Sequence, residues 1–413
     1  MSLFAGTAVV EITPKKPMFL VGYPHVERTS TGVHDPLLAS ALYLENSGNA
    51  LLMIALDILF LDARKVCEIR SIIADKTGLK TEDILLSCTH THSGPLTMDM
   101  IAFRNDPVVP ELDAEYMKFL TEGVVEAGIK AANCAKTAEI ALSSANIAGV
   151  GCNRHSPDGP RDPEAGILVI RDAETKAIDA VSVIYCMHPT VLHEDSTLIS
   201  SDFPGFTREY LKSHCGEDIT VLYHTGPEGN QSPRYDVKGQ TFAEAERLGN
   251  ILGQSLVKEI DLLSDDDFIA DPEIKVSCDF ISPVKRELPA LEDAEKNLDF
   301  RKSEYERLKA ENAGHGPVRT AECSVFGAEE TVYLAKCAED GSLDKVLANY
   351  AEIEVQVMKI GKTYLANFAG EMFVEYSLDL KKMFYSQSKP GEHLFVLCLA
   401  NGEMQGYIVT EDA

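Results

Sequence analysis

The 413-residue chain has no tryptophan, which removes one common aromatic platform and decides nothing further about function. It has no run of ~18 consecutive apolar residues, so no segment reads as a membrane-spanning helix. The opening Met1-Ser2-Leu3-Phe4-Ala5-Gly6 lacks the basic start and long apolar stretch of a signal peptide. Positive charge is scarce: 38 Lys and Arg against 65 Asp and Glu leave a net charge of −27. That balance argues against nucleic acid and anionic membrane surfaces as partners. No Cys-x-x-Cys pair occurs, and the 10 cysteines stand far apart. Several, such as Cys186, Cys278 and Cys398, lie in apolar or strand-like surroundings, as reduced buried thiols do, so a cytoplasmic location is expected. Internal repeats, low-complexity tracts and linkers are not evident.

What is present reads as one large α/β unit over residues 1–413, with mixed sheets, hairpins and flanking helices. Ala39 to Leu44, a polar turn, then Ala50 to Leu59 read as a hairpin. Asp62 to Thr77 has helical periodicity, with Asp62 a cap and Gly78 a stop. Thr81 to Thr89 reads as a strand, Leu112 to Ala132 as a helix and Ala138 to Ile147 as a strand. A second hairpin, Gly166 to Arg171 and Ala180 to Cys186, runs into Met187-His188-Pro189. Phe206 to His214 and Phe242 to Leu263 read as helices around a strand at Ile219 to His224. A strand at Ile274 to Ile281 precedes a Glu/Lys/Arg-rich, mostly solvated helix within Pro289 to Ala313, so about 285–345 reads as an insertion. The last third alternates: strands at Glu352 to Met358 and Thr363 to Phe368, a helix at Val374 to Phe384, a strand at Leu394 to Leu399.

Candidate chemistry collects where apolar strands end in polar, Gly/Pro-rich loops, the usual place for functional groups on a rigid scaffold. The most informative run is Cys88-Thr89-His90-Thr91-His92-Ser93-Gly94-Pro95. Read as the end of a strand, it places His90 and His92 on one face, since side chains at i and i+2 share a face. Two adjacent imidazoles there suit a divalent metal; the alternative is a pair of exposed or hydrogen-bonded histidines. Four more such loops follow: His188-Pro189, Gly226 to Pro233, Phe368 to Met372, and Leu399 to Tyr407.

Together these segments resemble the catalytic region of the neutral ceramidases over nearly the whole chain. The motifs fall in the family's order: Gly32 to Leu37, Asp57, the Thr-His-Thr-His-Ser-Gly-Pro run, Asn153-Arg154, Ser201 to Gly205, and Gly229 to Pro233. The resemblance implies a Zn2+ ion held by His90, His188, Glu371 and Tyr407, with His92 outside that shell and placed for proton transfer. It implies Arg154 and Tyr407 as stabilisers of an oxyanion, and Ser232 as the serine the family has been credited with as a nucleophile. The expected activity is zinc-dependent hydrolysis of an amide in a small-molecule N-acyl or sphingolipid-like substrate, which would place the protein in lipid metabolism.

Three departures stand out. The family's acidic residue two places before the serine is Asn230 here, and Arg234 follows Ser232-Pro233 where the family has asparagine. The family's C-terminal β-sandwich and its Gly-Gly-Tyr-Glu segment are not in this sequence. Two other readings stay open. One is a metal-dependent amidohydrolase on a barrel, which also uses His-x-His, although the hairpins break the strand–helix alternation such a barrel needs. The other is a non-catalytic binding protein. Substrate and oligomeric state are not legible.

Overall fold

The computed structural model describes residues 2–104, 106–350, 352–404 and 406–411. Gln405, in the last of the candidate loops, lies outside the described residues.

Twelve strands form two mixed sheets from one topological unit used three times. In the first unit, β1 (Leu3–Glu11), β2 (Leu38–Asn46) and β3 (Asn49–Leu56) form an antiparallel meander, and β4 (Ile84–Cys88) lies parallel to β3. The second unit repeats this with β5 (Lys136–Asn146), β6 (Glu164–Asp172), β7 (Ile178–Tyr185) and β8 (Thr220–Thr225). The third uses β9 (Ile274–Ile281), β10 (Ile353–Ile360), β11 (Thr363–Phe368) and β12 (His393–Leu397). A parallel neighbour needs a crossover. Helices supply it between the last two strands of each unit: α1 (Ala63–Thr77), α3 (Phe203–Cys215), and the helix Val374–Tyr385. Antiparallel pairing of β1 with β5 joins the first two units into an eight-stranded sheet, and the third is a four-stranded sheet. This repeat is invisible in the sequence because topology is conserved among the units while side chains are not.

Local chemistry explains the elements. The β2–β3 hairpin turns through Ser47 and Gly48, both at positive φ (58° and 79°), the conformation that matches the twist of two-residue hairpins. Helix α1 starts where the Asp62 carboxylate accepts from the Arg64 N–H at 2.8 Å and stops at left-handed Gly78. Helices α2 (Ala114–Asn133) and α4 (Phe242–Ile260) are capped likewise by Asp113 and Thr241. Outer-face residues of the large sheet pack on α1 and α2 in one cluster and on α3 and α4 in another. A third cluster is interior to all three units, with Leu42 and Leu85, Leu168 and Leu222, and Leu365 and Leu397 fully buried together.

The two edge strands of the large sheet, β4 and β8, are brought together by the segment after β12. Cys398 N–H donates to the Thr225 carbonyl (2.8 Å), and the Leu399 carbonyl accepts from Cys88 N–H (3.1 Å). The Thr225 hydroxyl donates directly to the Thr89 carbonyl at 2.9 Å. The strand ends of all three units therefore meet at one place.

The expected α/β class, with hairpins, mixed sheets and flanking helices, is present. Three elements differ from expectation. The strand expected over Thr81 to Thr89 is shorter, with a 3-10 turn at Thr81–Asp83 and the strand proper at Ile84–Cys88. Strand β1 was not foreseen, because Leu3–Glu11 mixes buried and half-buried residues with no clean alternation. Between β9 and β10 the mostly exposed α5 (Leu291–Ala310) pairs with a second helix, α6 (His315–Glu339). Gly316, Pro317 and Gly327 disguise α6 as a loop; its proline sits in the first turn, where no intrahelical N–H is required. Among the described residues no helix is long and apolar enough to cross a membrane.

Candidate active site

His90, His92, Arg154, Ser232, Glu371 and Tyr407 line one cavity of about 630 Å³, and His188 lies buried behind it with its ring against Glu371. His90 follows β4, His188 follows β7, Glu371 follows β11, and Tyr407 lies beyond β12. The strand ends at Cys88, and His90 has φ +69°, so the two rings converge through a left-handed turn and not through strand alternation. That conformation is uncommon for a residue with a Cβ. It is held by the His90 N–H donating to the Ile58 carbonyl at 3.0 Å.

Each imidazole is oriented through its Nδ1, which faces a backbone carbonyl: Leu59 for His90 (3.2 Å), Gly22 for His92 (3.0 Å), Glu228 and Gln231 for His188 (2.8 and 3.0 Å). With Nδ1–H committed there, the neutral ring presents its Nε2 lone pair to the cavity. Gly22, at φ +120°, makes the His92 contact possible, since a Cβ there would lie 2.5 Å from the ring nitrogen. The His92 carbonyl is held by Arg28, a fully buried guanidinium that also donates to the carbonyls of Val21 and His193 (both 3.1 Å).

The Nε2 atoms and Glu371 Oε1 form one knot. His188 Nε2 is 3.0 Å and His90 Nε2 3.2 Å from Glu371 Oε1, and His92 Nε2 is 3.3 Å from His90 Nε2. Lone pairs and an anionic oxygen this close repel unless a cation lies among them. Tetrahedral bonds of ~2.0–2.1 Å put donor atoms about 3.3 Å apart, so these separations fit the edges of a zinc coordination sphere. His92 meets that spacing as closely as His90 and His188 do, nearer to the knot than the resemblance implied. Burial pushes His188 down to about 3, with Arg154 and His90 adding to it, and burial also lowers His92 well below the usual range. Burial works against the Glu371 carboxylate, but its closeness to His90 and His188 outweighs that and holds it well below the usual carboxylate range. Neutral imidazoles with an ionised carboxylate are the forms that bind metal.

Glu228 was overlooked in the sequence although its loop was noted. Its carboxyl shares a cluster with His90 and Glu371 in which donor atoms lie within 4.8 Å of one another. The side chain is fully buried, and neither oxygen has a hydrogen-bond partner among the described residues. Gly229 lets this loop pack on the strand carrying Glu371: a Cβ would lie 2.8 Å from the Glu371 and Met372 carbonyls. Glu403 Oε2 is likewise buried without a partner, and burial, then Glu371 and Glu228, push its carboxyl up. Only the fold could reveal these two, since an isolated Glu in a Gly-rich loop carries no signal.

Tyr407 lines the cavity at the rim of the knot. Its ring centroid is 6.4 Å from that of His188 and 4.8 Å from the Arg154 guanidinium carbon, and its phenol bonds Arg154. The residue is 44 % exposed. Tyr407 and Glu371 are register partners in a short parallel pair. Arg154 also donates to the Gly229 carbonyl. Ser232 lines the cavity, with its Oγ accepting from Arg234 N–H (3.2 Å) and 3.5 Å from Thr190 Oγ1. No histidine or carboxylate is among these partners. Asn230 is turned away, its amide bonding Glu375 (2.7 Å) and Val374 N–H (3.0 Å) at the start of the final helix. Asp57 serves the scaffold: it is buried and paired with Arg208 at 2.7 Å.

Residues 4–318 match the family described as neutral/alkaline non-lysosomal ceramidase, N-terminal. Neutral ceramidase A of Dictyostelium discoideum is 23% identical over 268 residues, 58% of this chain and 37% of its own length. The neutral ceramidases of Pseudomonas aeruginosa (24% over 240 residues) and Mycobacterium tuberculosis (24% over 261 residues) cover 53% and 57% of this chain. The matches span only 35% and 41% of those two relatives' own lengths. The crystal structure of the Pseudomonas aeruginosa neutral ceramidase superimposes with TM-score 0.75 at 16% identity, covering 99% of this chain and 69% of that one. A structure titled ceramidase complexed with C2 gives TM-score 0.76, also at 16% identity, covering 99% of this chain and 70% of that one. With 4–318 of its 413 residues matched, this chain belongs to the neutral/alkaline non-lysosomal ceramidase family.

Proposed function

We propose that the protein is a zinc-dependent hydrolase of an amide bond in an N-acyl substrate of the ceramide class. The observation that carries this reading is the knot of imidazole Nε2 atoms and the Glu371 carboxylate, spaced 3.0–3.3 Å apart at the floor of a cavity. His90, His188 and Glu371 would hold the ion, with Tyr407 at its rim. When bound, zinc supplies Lewis acidity toward an amide carbonyl and makes water a nucleophile near neutral pH.

The chain's own groups do the rest. Arg154 and the Tyr407 phenol, bonded to each other beside the knot, would donate to the oxygen that gains charge as the carbonyl is attacked. His92, neutral with its Nε2 toward the knot, would take a proton there and pass it to the leaving nitrogen. Ser232 has no adjacent base to activate it, which favours its orienting the substrate over its attacking the carbonyl. The 10 cysteines are all free, which supports a reducing, cytoplasmic location.

The test pairs metal analysis with turnover. The purified protein should carry about one tightly held zinc per chain, release fatty acid from short-chain ceramides or other N-acyl amines, and lose and regain both on chelation and zinc addition. Zinc bound without hydrolysis across an N-acyl panel would favour a binding protein.

A further inference from the structure

Two guanidiniums of the cavity wall, Arg154 and Arg234, lack a carboxylate partner among the described residues, as does Arg28 among its backbone carbonyls, whereas other buried arginines are paired. Arg70 pairs with Glu354, Arg208 with Asp57, and Arg319 with Glu194 and Glu322. In a chain with 65 acidic and 38 basic residues, unpaired arginines are the less expected outcome. Yet Arg234 donates only to neutral groups: the Thr320 hydroxyl (2.8 Å), the Arg154 carbonyl (3.3 Å) and the Cys323 thiol (3.5 Å). Arg154 bonds the Gly229 carbonyl and the Tyr407 phenol. Among the described residues neither forms an ion pair.

Their placement adds to the argument. Arg234 lies two residues beyond Ser232 and its backbone N–H bonds the serine Oγ, so its side chain starts at the candidate reaction centre. Helix α6 holds the guanidinium through Thr320 and Cys323 and brings Arg319 to the same cavity wall. Burial, then the charges of Arg154 and Arg319, works against the charged form of Arg234. His193 beside them is kept neutral, lowered to about 2 by burial and Arg319, so the positive charge of this wall belongs to the arginines. Like charges held together in a partly desolvated cavity are unfavourable in the free protein, and a bound anion relieves them. The fork of a guanidinium matches the two oxygens of a carboxylate or phosphate.

We propose that Arg234, supported by Arg154, forms an oxyanion subsite, so that among N-acyl substrates of this class the preferred one bears a carboxylate or phosphate near its amide. This rests on the hydrolase reading for its kinetic arm only. At about 630 Å³ the cavity suits a small ligand with a short chain.

The experiment uses three octanamides with one acyl chain: N-octanoylethanolamine (neutral), N-octanoylglycine (carboxylate) and N-octanoyl-phosphoethanolamine (phosphate). The zinc-loaded wild type should favour one anionic member over the neutral one in kcat/KM by about 10- to 100-fold, chiefly through KM, the worth of a charge-assisted contact. Which member wins separates carboxylate from phosphate. Arg234→Gln should erase that ratio, and Arg234→Lys, which keeps charge without the fork, should retain part of it. A neutral preference in the wild type, or a ratio unmoved by Arg234→Gln in folded protein, would overturn the subsite. If no octanamide is cleaved, the ceramide assay decides the hydrolase reading and calorimetric binding alone decides the subsite. Binding of the anionic members to wild type but not to Arg234→Gln supports the subsite, and equal binding to both refutes it.

Discussion

Replacing Glu228 by glutamine removes a charge while keeping shape, and it isolates what that buried carboxyl does. Its oxygens have no hydrogen-bond partner among the described residues, and its donor atom lies within 4.8 Å of those of His90 and Glu371. At that separation each pair of unit charges interacts by about 3.5 kcal/mol at an effective dielectric of ~20, or roughly 300-fold in an equilibrium constant. A cation held by His90 and Glu371 therefore feels Glu228 strongly. Part of this is cancelled, because burial and then the Glu371 charge push the Glu228 carboxyl well above its usual range, and a cation must first displace its proton. The expected outcome near neutral pH is a loss of zinc affinity on the order of 10–100-fold in Glu228→Gln, measured by competition with a chromophoric chelator. The wild-type affinity should rise more steeply with pH than the variant's. Stripped of metal, the variant should melt no lower than wild type, since in that state the Glu228 carboxyl is already held uncharged by its proton. Equal zinc affinity for both proteins from pH 6 to pH 9 would refute the reasoning and leave Glu228 as a structural, permanently protonated acid.

Three further outcomes follow from the same geometry. His90→Ala and His188→Ala should lose the metal, whereas His92→Ala should keep it and slow turnover by about 10²–10⁴-fold; equal metal loss in all three would make His92 a ligand. Ser232→Ala should cost about 1–3 kcal/mol of transition-state stabilisation with no covalent intermediate, and a stoichiometric product burst with acyl mass on the Ser232 peptide would show that the serine attacks. Asp202, fully buried at the start of α3, is raised from 3.8 to about 7 by burial, with Asp35 adding to it. Between those values the folded state holds the extra proton, so stability falls as pH rises from about 4 to about 7, by up to about 4 kcal/mol. Asp202→Asn should flatten that slope in chemical denaturation, and an unchanged slope would assign the pH dependence to other groups.

Much of the architecture could be read directly. The β2–β3 hairpin, the caps of α1, and the helices α2 and α4 follow from periodicity and end signals that act within a few residues, so the local sequence determines them. The ligand candidates rest on more than local sequence: the loops after apolar strands marked the segments carrying His90, His188, Glu371 and Tyr407, and only the resemblance to the neutral ceramidases implied them as a set. Only tertiary structure decided the rest. The threefold use of one strand–helix unit leaves no trace in side chains, because each unit need only bury apolar surface, which many sequences do. Glu228 and Glu403 acquire meaning from burial without partners, a property no sequence position displays. His90 and His92 meet through a positive-φ turn imposed by hydrogen bonds to Ile58 and Leu59, residues some thirty positions earlier in the chain. The arginine wall, likewise, exists because α6 packs across the cavity beside a loop from another unit. Chemistry that depends on distance between loops far apart in the chain is set by how the strand ends are gathered, and that gathering is a property of the fold as a whole.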